Sequence, residues 1–316
     1  MKNTFIMGLM REENESLSTQ LGLWHHLTLR NILQRKLTGW IAKNDHLGNY
    51  LHERSQAAAK SDTIKLRAWK LNEMMLFLKI PVPEKLDIYS LNAIGNEIEV
   101  QSTALLRKID KEFNGASPDD MVRHLMIKII ENLSEQLKKK DNKTQDEVIE
   151  RVLEILRSMP IDQQEILKGL LSIEEFSPDV IRMAIFDHTM ATALASFMMM
   201  VRYTIYYEIS KIAAVLSGAV SLYLARSYIR PLIPAILFLF SPIAMATIGI
   251  GLTWWTDVYT NREIQSFLLP VMVMSSILAS VHPSSENITL HTQAVKTSSG
   301  ESMKTFIDFY NQNYCR

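Results

Sequence analysis

At 316 residues the chain has room for one large or two modest domains, and its 34 basic residues are matched by 34 acidic ones. That balance excludes the basic excess of a general nucleic-acid binder, so no nucleic acid is expected as a partner. A single cysteine, Cys315, excludes a disulfide framework or a thiolate metal cluster within one chain and fits a reducing compartment.

The chain opens with MKNTFIMGLMREE, one lysine and a short apolar run closed by Arg11, Glu12 and Glu13. That run lacks the length and small-residue cleavage site of a secretory signal, so the polar part is expected on the side of synthesis. Leu21, Leu23, Trp24, Leu27, Leu29, Ile32 and Leu33 recur at three- and four-residue spacing, as one buried helix face does. Ile64 to Ile80 repeats the habit with Leu66, Trp69, Leu71, Met74, Met75 and Leu78, and Pro81-Val82-Pro83 stops it. A further helix is predicted from about Glu97 to Phe113, ended by Gly115.

Ser117-Pro118-Asp119-Asp120 is a helix start, and Val122, Leu125, Met126, Ile129, Ile130, Leu133 and Leu137 form one stripe after it. Lys138-Lys139-Lys140 breaks the stripe. Thr144 with Glu147 has the spacing of a capping box before Val148, Val152, Ile155, Leu156 and Met159. Pro160 and Asp162 open the next helix, through Leu171. Ser177-Pro178-Asp179 opens another that is expected to run straight into the apolar region. No alternating run is long enough for a strand.

Only eight charged residues lie between Arg202 and Val281, so a mean hydropathy near zero averages a polar part and an apolar part. Met190 to Val201 is uncharged, and Arg202, Glu208 and Lys211 follow. A helix on a membrane surface and a helix covering a soluble core would both look like this. Pro231 to Thr256 holds 26 residues without a charge, long enough to span a hydrocarbon core of about 30 Å. Ile264 to Val281 is a second uncharged run of 18, whereas Ile212 to Ala225, with 14, is too short to span alone.

These two runs predict an apolar transmembrane hairpin. Its inserting residues are Pro234, Leu237, Leu239, Pro242, Ile248, Gly249 and Gly251 in the first arm and Leu268, Pro270 and Val273 in the second. Pro242 lies mid-run and would kink its helix, which membrane helices tolerate better than soluble ones. Arg226 and Arg230 precede the first arm, while Asp257, Arg262 and Glu263 give the connection a net charge of −1. The positive-inside bias then keeps both termini cytoplasmic, at the inner membrane. Trp254, Trp255 and Tyr259 would anchor the far interface, or serve as ordinary core packing. The rival reading is a soluble helical domain with a very apolar core. His282 to Met303, rich in Ser, Thr and His, is expected to be a flexible tail, with a short aromatic cluster from Phe306 to Tyr314 that docks on the body or binds a partner.

No residue set carries catalytic chemistry, so no enzyme activity, cofactor or metal is expected. His25 and His26 are adjacent, so on a helix they point about 100° apart and do not converge on one ion. Asp119 and Asp120 are helix-start acids, and Gly249-Ile250-Gly251 lacks the strand and third glycine of a nucleotide fingerprint. Lys138 to Lys140 reads as a solvated helix end, with anionic lipid as an alternative.

Ser241-Pro242-Ile243-Ala244, then Trp255 and Arg262, then Phe267-Leu268-Leu269-Pro270-Val271 resembles the C-terminal signature of the YaaW-like bacterial proteins. There a Gly-Pro-Ile-Gly turn precedes a tryptophan-containing helix, an arginine and an Ile-Pro-x-Val segment. The resemblance covers about Pro118 to Val281; Ser241 stands for the first glycine, and the interval to Trp255 is longer. It implies a helical domain, remotely similar to ubiquinol–cytochrome c chaperones, and no catalytic residues.

The expected architecture is all-α: a helical cytoplasmic domain followed by an apolar transmembrane helical hairpin. The regions are 1–116, 117–211, the hairpin region 212–281 and the tail 282–316. The expected function is a membrane-acting effector, a toxin or antiphage defence protein that permeabilises or depolarises the inner membrane. The alternative is a membrane-anchored helical binding or assembly protein. The expected partners are the lipid bilayer and either another protein or further copies of the chain.

Overall fold

The computed structural model describes residues 3–28, 46–200, 257–280 and 291–315. Among the described residues the chain is helical and contains no strand. It divides into two compact units, one from residues 1–118 and 257–316, the other from residues 119–256.

The first unit contains α1 (Thr4–Arg11), α2 (Asn14–His26), α3 (His46–Ala59), α4 (Thr63–Leu78), α5 (Ile88–Ile109), α11 (Asp257–Ala279) and α12 (His291–Asn313). Its start is tied down by polar groups of α5. The Asn3 amide donates to Asn92 Oδ1 at 2.8 Å, Asn3 Nδ2 to Asn96 Oδ1 at 2.7 Å, and the Phe5 amide to Glu99 Oε1 at 2.9 Å. These contacts and the Asn3 side-chain cap satisfy amides that a helix start leaves without partners. The short run predicted near the N-terminus is thus a core helix, with Phe5, Ile6 and Leu9 buried. α5 begins at Ile88, nine residues before the expected start. Asp87 and Ser90 form a reciprocal capping box there, a signal that apolar spacing does not carry.

α11 is the one helix among the described residues long and apolar enough to cross a membrane, over Asn261–Ala279. It packs against α1, α2 and α5, and 72% of its most apolar window is buried inside the protein. Leu268, Pro270 and Val273, expected to face lipid, lie in that helix and are buried. The other arm of the expected hairpin, with Pro234, Leu237, Leu239, Pro242, Ile248, Gly249 and Gly251, lies outside the described residues. So do Arg226, Arg230, Trp254 and Trp255. Tyr259 falls in the first turn of α11.

From His291 the chain is helical again. Phe306 and Tyr310 are buried, and α12 rests on α4. Tyr310 Oη donates to Met75 Sδ at 3.4 Å, and Asn311 bonds both backbone groups of Leu86. Burial pushes the Tyr310 phenol well above its ordinary range.

The second unit contains α6 (Pro118–Lys138), α7 (Asn142–Ser158), α8 (Ile161–Leu171), α9 (Pro178–Phe186) and α10 (Thr189–Met200). Every residue of the stripe from Val122 to Leu137 is buried. The cap of α7 is Asp141, whose carboxylate accepts from the Thr144 amide at 3.0 Å, so Thr144 is the third helical residue and not the cap. Ser177 caps α9 and Pro178 occupies its first turn, as the sequence predicts. α9 does not run on into the apolar region. It ends at Phe186, and His188 takes a left-handed conformation (φ 62°) before α10 starts. His188 Nε2 lies 3.0 Å from Glu135 Oε1, which fixes this corner against α6.

Candidate functional site

α4 carries its apolar stripe at four-residue spacing through Leu66 and Met74, and Lys70 falls between them on the same face. The stripe drives that face into the core, and Lys70 goes with it, leaving no exposed side-chain surface. Its ammonium meets Glu12 Oε2 at 2.6 Å, Ser276 Oγ at 2.8 Å and the Met272 carbonyl at 3.3 Å. An ammonium has three donors, so each proton has an acceptor.

Glu12 sits in the short link between α1 and α2, and its side chain is 1% exposed. Its second oxygen accepts from Gln20 Nε2 at 2.9 Å and from Ser275 Oγ at 3.2 Å. Its backbone carbonyl accepts from Arg67 at 3.0 Å. Burial lowers the Lys70 pKa, and the adjoining carboxylate opposes that shift. Chemically this node is closed. It joins α2, α4, α11 and the α1–α2 link at one ionic point and presents no reactive atom to solvent. Gly8 makes the arrangement possible, because a Cβ there would overlap the Ser276 carbonyl oxygen. Arg11 adds a bond to the Ser280 carbonyl at the far end of α11.

A second cluster lies at the opposite end of α11. Trp24 Nε1 and Trp69 Nε1 each donate to one oxygen of Glu73 at 3.1 Å. His25 stacks on Trp69 with ring centroids 4.8 Å apart, whereas His26 turns to Tyr50 at 5.9 Å. The two histidines therefore diverge, as their adjacency predicts. Arg54 lies over the Tyr50 ring at 5.1 Å and Arg262 over the Phe77 ring at 5.8 Å. Partial burial, then the nearby Arg54 and His25, hold His26 below its ordinary range.

Sequence reasoning passed over the node. Glu12 stands in the sequence as part of the charged close of the first apolar run, and Ser275 and Ser276 fall inside the uncharged run from Ile264 to Val281. The available signal was Lys70 itself, a charge at the i+4 position of a buried stripe. Among the described residues no group of three or more His, Cys, Asp or Glu is placed to hold a metal ion. No protein-family model matches the chain, and no curated protein and no solved structure matches it, so none of the three comparisons bears on the YaaW-like resemblance.

Proposed function

We propose that the chain is a non-enzymatic helical protein, anchored in the inner membrane by its apolar stretch, whose cytoplasmic helical body binds or assembles with another protein or further copies of itself. The observation that carries this reading is the make-up of the first unit, which joins residues 1–118 to residues 257–316. α1 and α11 pack together in it, which supports placing both on one side of the membrane. A single crossing by Pro231 to Thr256 would put Asp257 on the far side and forbid that packing. Arg226 and Arg230 favour the cytoplasm as the side of the body. The test is a fractionation with carbonate and high-salt washes, followed by thiol labelling from outside in a Cys315→Ser background. Expected are a protein that resists both washes and cysteines at positions 53 and 303 that stay protected. Labelling at one position but not the other overturns the shared-side topology, and release by either wash overturns the anchor.

A membrane-acting effector is the second reading, and one observation favours it. Both ionic groups of the buried node, Lys70 of α4 and Glu12 of the α1–α2 link, lie outside α11, which contributes only hydroxyls and a carbonyl. The Ser276 and Ser280 hydroxyls also bond carbonyls of α11 itself. α11 would therefore leave the unit carrying no charge between Ile264 and Val281 and pair with the other uncharged run as a hairpin. Cross-linking α1 to α11 then abolishes any loss of membrane potential on overexpression. Depolarisation that persists after cross-linking sinks this reading.

A further inference from the structure

Among the described side chains of α12, Phe306 and Tyr310 are fully buried, four residues apart on one face. Tyr310 bonds Met75 of α4, and Asn311 bonds both the amide and the carbonyl of Leu86. The rings of Phe306, Tyr310 and Tyr314 form a row along this face, with successive centroids 5.9 and 4.9 Å apart. α4 and the chain at Leu86 thus make a seat for a short helix with aromatic residues at four-residue spacing, the pattern of a helix laid in a groove.

The rim of this seat is apolar and open to solvent. Among its described residues the first unit exposes five large apolar side chains, Leu76, Val82, Ile88, Tyr89 and Val100. The first four lie within four residues of Met75 or Leu86 along the chain, and Tyr89 is 82% exposed. Single surface apolar residues are ordinary, but a group beside one seat marks an interaction surface. The exposed charges of the rim cancel, Lys79 and Lys85 against Glu84 and Asp87, and Lys304 against Asp308 on α12. Glu73, beside Tyr314, is taken up by the two indoles. Two copies can therefore bring this face together without net repulsion.

We propose that the partner for this face is a second copy of the chain, and that the two copies exchange α12, each seating its helix on α4 of the other. The inference rests on self-assembly as proposed above and names the surface that carries it. Exchange re-forms between copies every contact that α12 makes within one, so it costs little beyond association itself. Area favours exchange over simple abutment. Phe306 and Tyr310 bury about 150–250 Å² each, so two exchanged helices carry roughly 600–1,000 Å² into the interface. That is most of the roughly 1,000 Å² in total that a specific interface needs, and the rim adds the rest. Concentration opposes it, because a helix tethered to its own seat competes at an effective concentration on the order of 1 mM. Burial of Leu76, Val82, Ile88 and Tyr89 between the copies, which a single copy leaves in water, supplies the difference.

The test uses full-length chains with Cys315→Ser, as two tagged forms of different size expressed in one cell. One form carries Lys85→Cys beside the seat and the other Gln312→Cys on the helix; both positions are exposed. A short bismaleimide is added to the lysate, and a chain carrying both substitutions reports seating within one copy. The expected result is a link between the two forms that grows with expression level. Phe306→Ala on the form with Gln312→Cys should abolish that link. The same change on the form with Lys85→Cys should raise it, because that chain's own helix no longer competes for the seat. Leu76→Asp with Tyr89→Asp, both on the exposed rim, should weaken the link between forms and leave the internal one intact. A link that falls with Phe306→Ala on either form, or that ignores the rim substitutions, overturns the proposal. So does the absence of any link between the two forms. Light scattering in detergent then separates the two readings. Particles of two or more copies remove only the exchange, whereas single copies remove self-assembly as well.

Discussion

The node at Lys70 offers a sharp test of how the first unit is held together. Lys70→Met removes the cation and leaves the Glu12 carboxylate buried among Gln20 and Ser275. Glu12→Leu leaves the converse, an ammonium with only a hydroxyl and a carbonyl. Breaking one side of a buried pair typically costs about 3–5 kcal/mol, because the remaining charge is desolvated without compensation. Replacing both sides with apolar residues removes that penalty. What remains is the lost hydrogen bonding of Gln20 and Ser275, roughly 1–3 kcal/mol per group left without a partner. Ser276 still has the Met272 carbonyl, and Gln20 still has Ser16 at 3.0 Å, so the double variant should fall well short of the sum. The expected pattern is two single variants each about 3–5 kcal/mol less stable, with a coupling of roughly 2 kcal/mol or more restored in the double. For a unit of this size each kcal/mol moves the midpoint by about 2–4 °C. The single variants should therefore melt roughly 6–20 °C lower, read by circular dichroism and checked by urea titration. Single variants within about 1 kcal/mol of the parent would mean that the pair is solvated, since surface pairs are worth that little. A double variant as unstable as the sum of the singles would refute the claim that uncompensated charge is the source of the cost.

Gly8→Ala should destabilise the first unit by about 1–3 kcal/mol or more, because its Cβ would overlap backbone of α11 that cannot step aside. Gly169→Ala in α8 meets nothing within 4 Å and should stabilise by about 0.5–1 kcal/mol; the opposite signs are checked in parallel urea titrations. Phe306→Ala empties a fully buried site and should cost about 3–5 kcal/mol, with α12 becoming sensitive to limited proteolysis. For His26 the folded pKa lies below the ordinary value of about 6.5, so just below that pH the unfolded chain takes up the proton first. Stability should then fall as pH drops through the window under about 6.5 and level off below the folded value; His26→Gln should flatten that slope in urea midpoints taken across it.

Local order was legible where chemistry and spacing act over a few residues. The stripe from Val122 to Leu137 and the Ser177-Pro178 start were readable because a helix repeats its buried face every three or four residues, and because an orphan amide needs a nearby acceptor. Reading went astray where two local solutions compete. Asp141 took the cap that Thr144 was expected to supply, and His188 ended a helix that apolarity alone would have continued. The candidate sites were hardly legible. Each is made of residues far apart in the chain, and one Lys70 contact reaches across 206 positions to Ser276.

By itself the sequence determined an all-helical chain with a long uncharged stretch near its C-terminal end, because composition and periodicity are properties of the chain alone. Only the tertiary structure decided what Ile264 to Ala279 does in the folded protein. An apolar run can lose water equally to lipid or to other helices, since burial is favourable in either case and has no direction. What selected other helices was specific: a glycine that lets α1 approach, two serines and a carbonyl aimed at a buried ammonium, and a carboxylate from the far end of the chain to neutralise it.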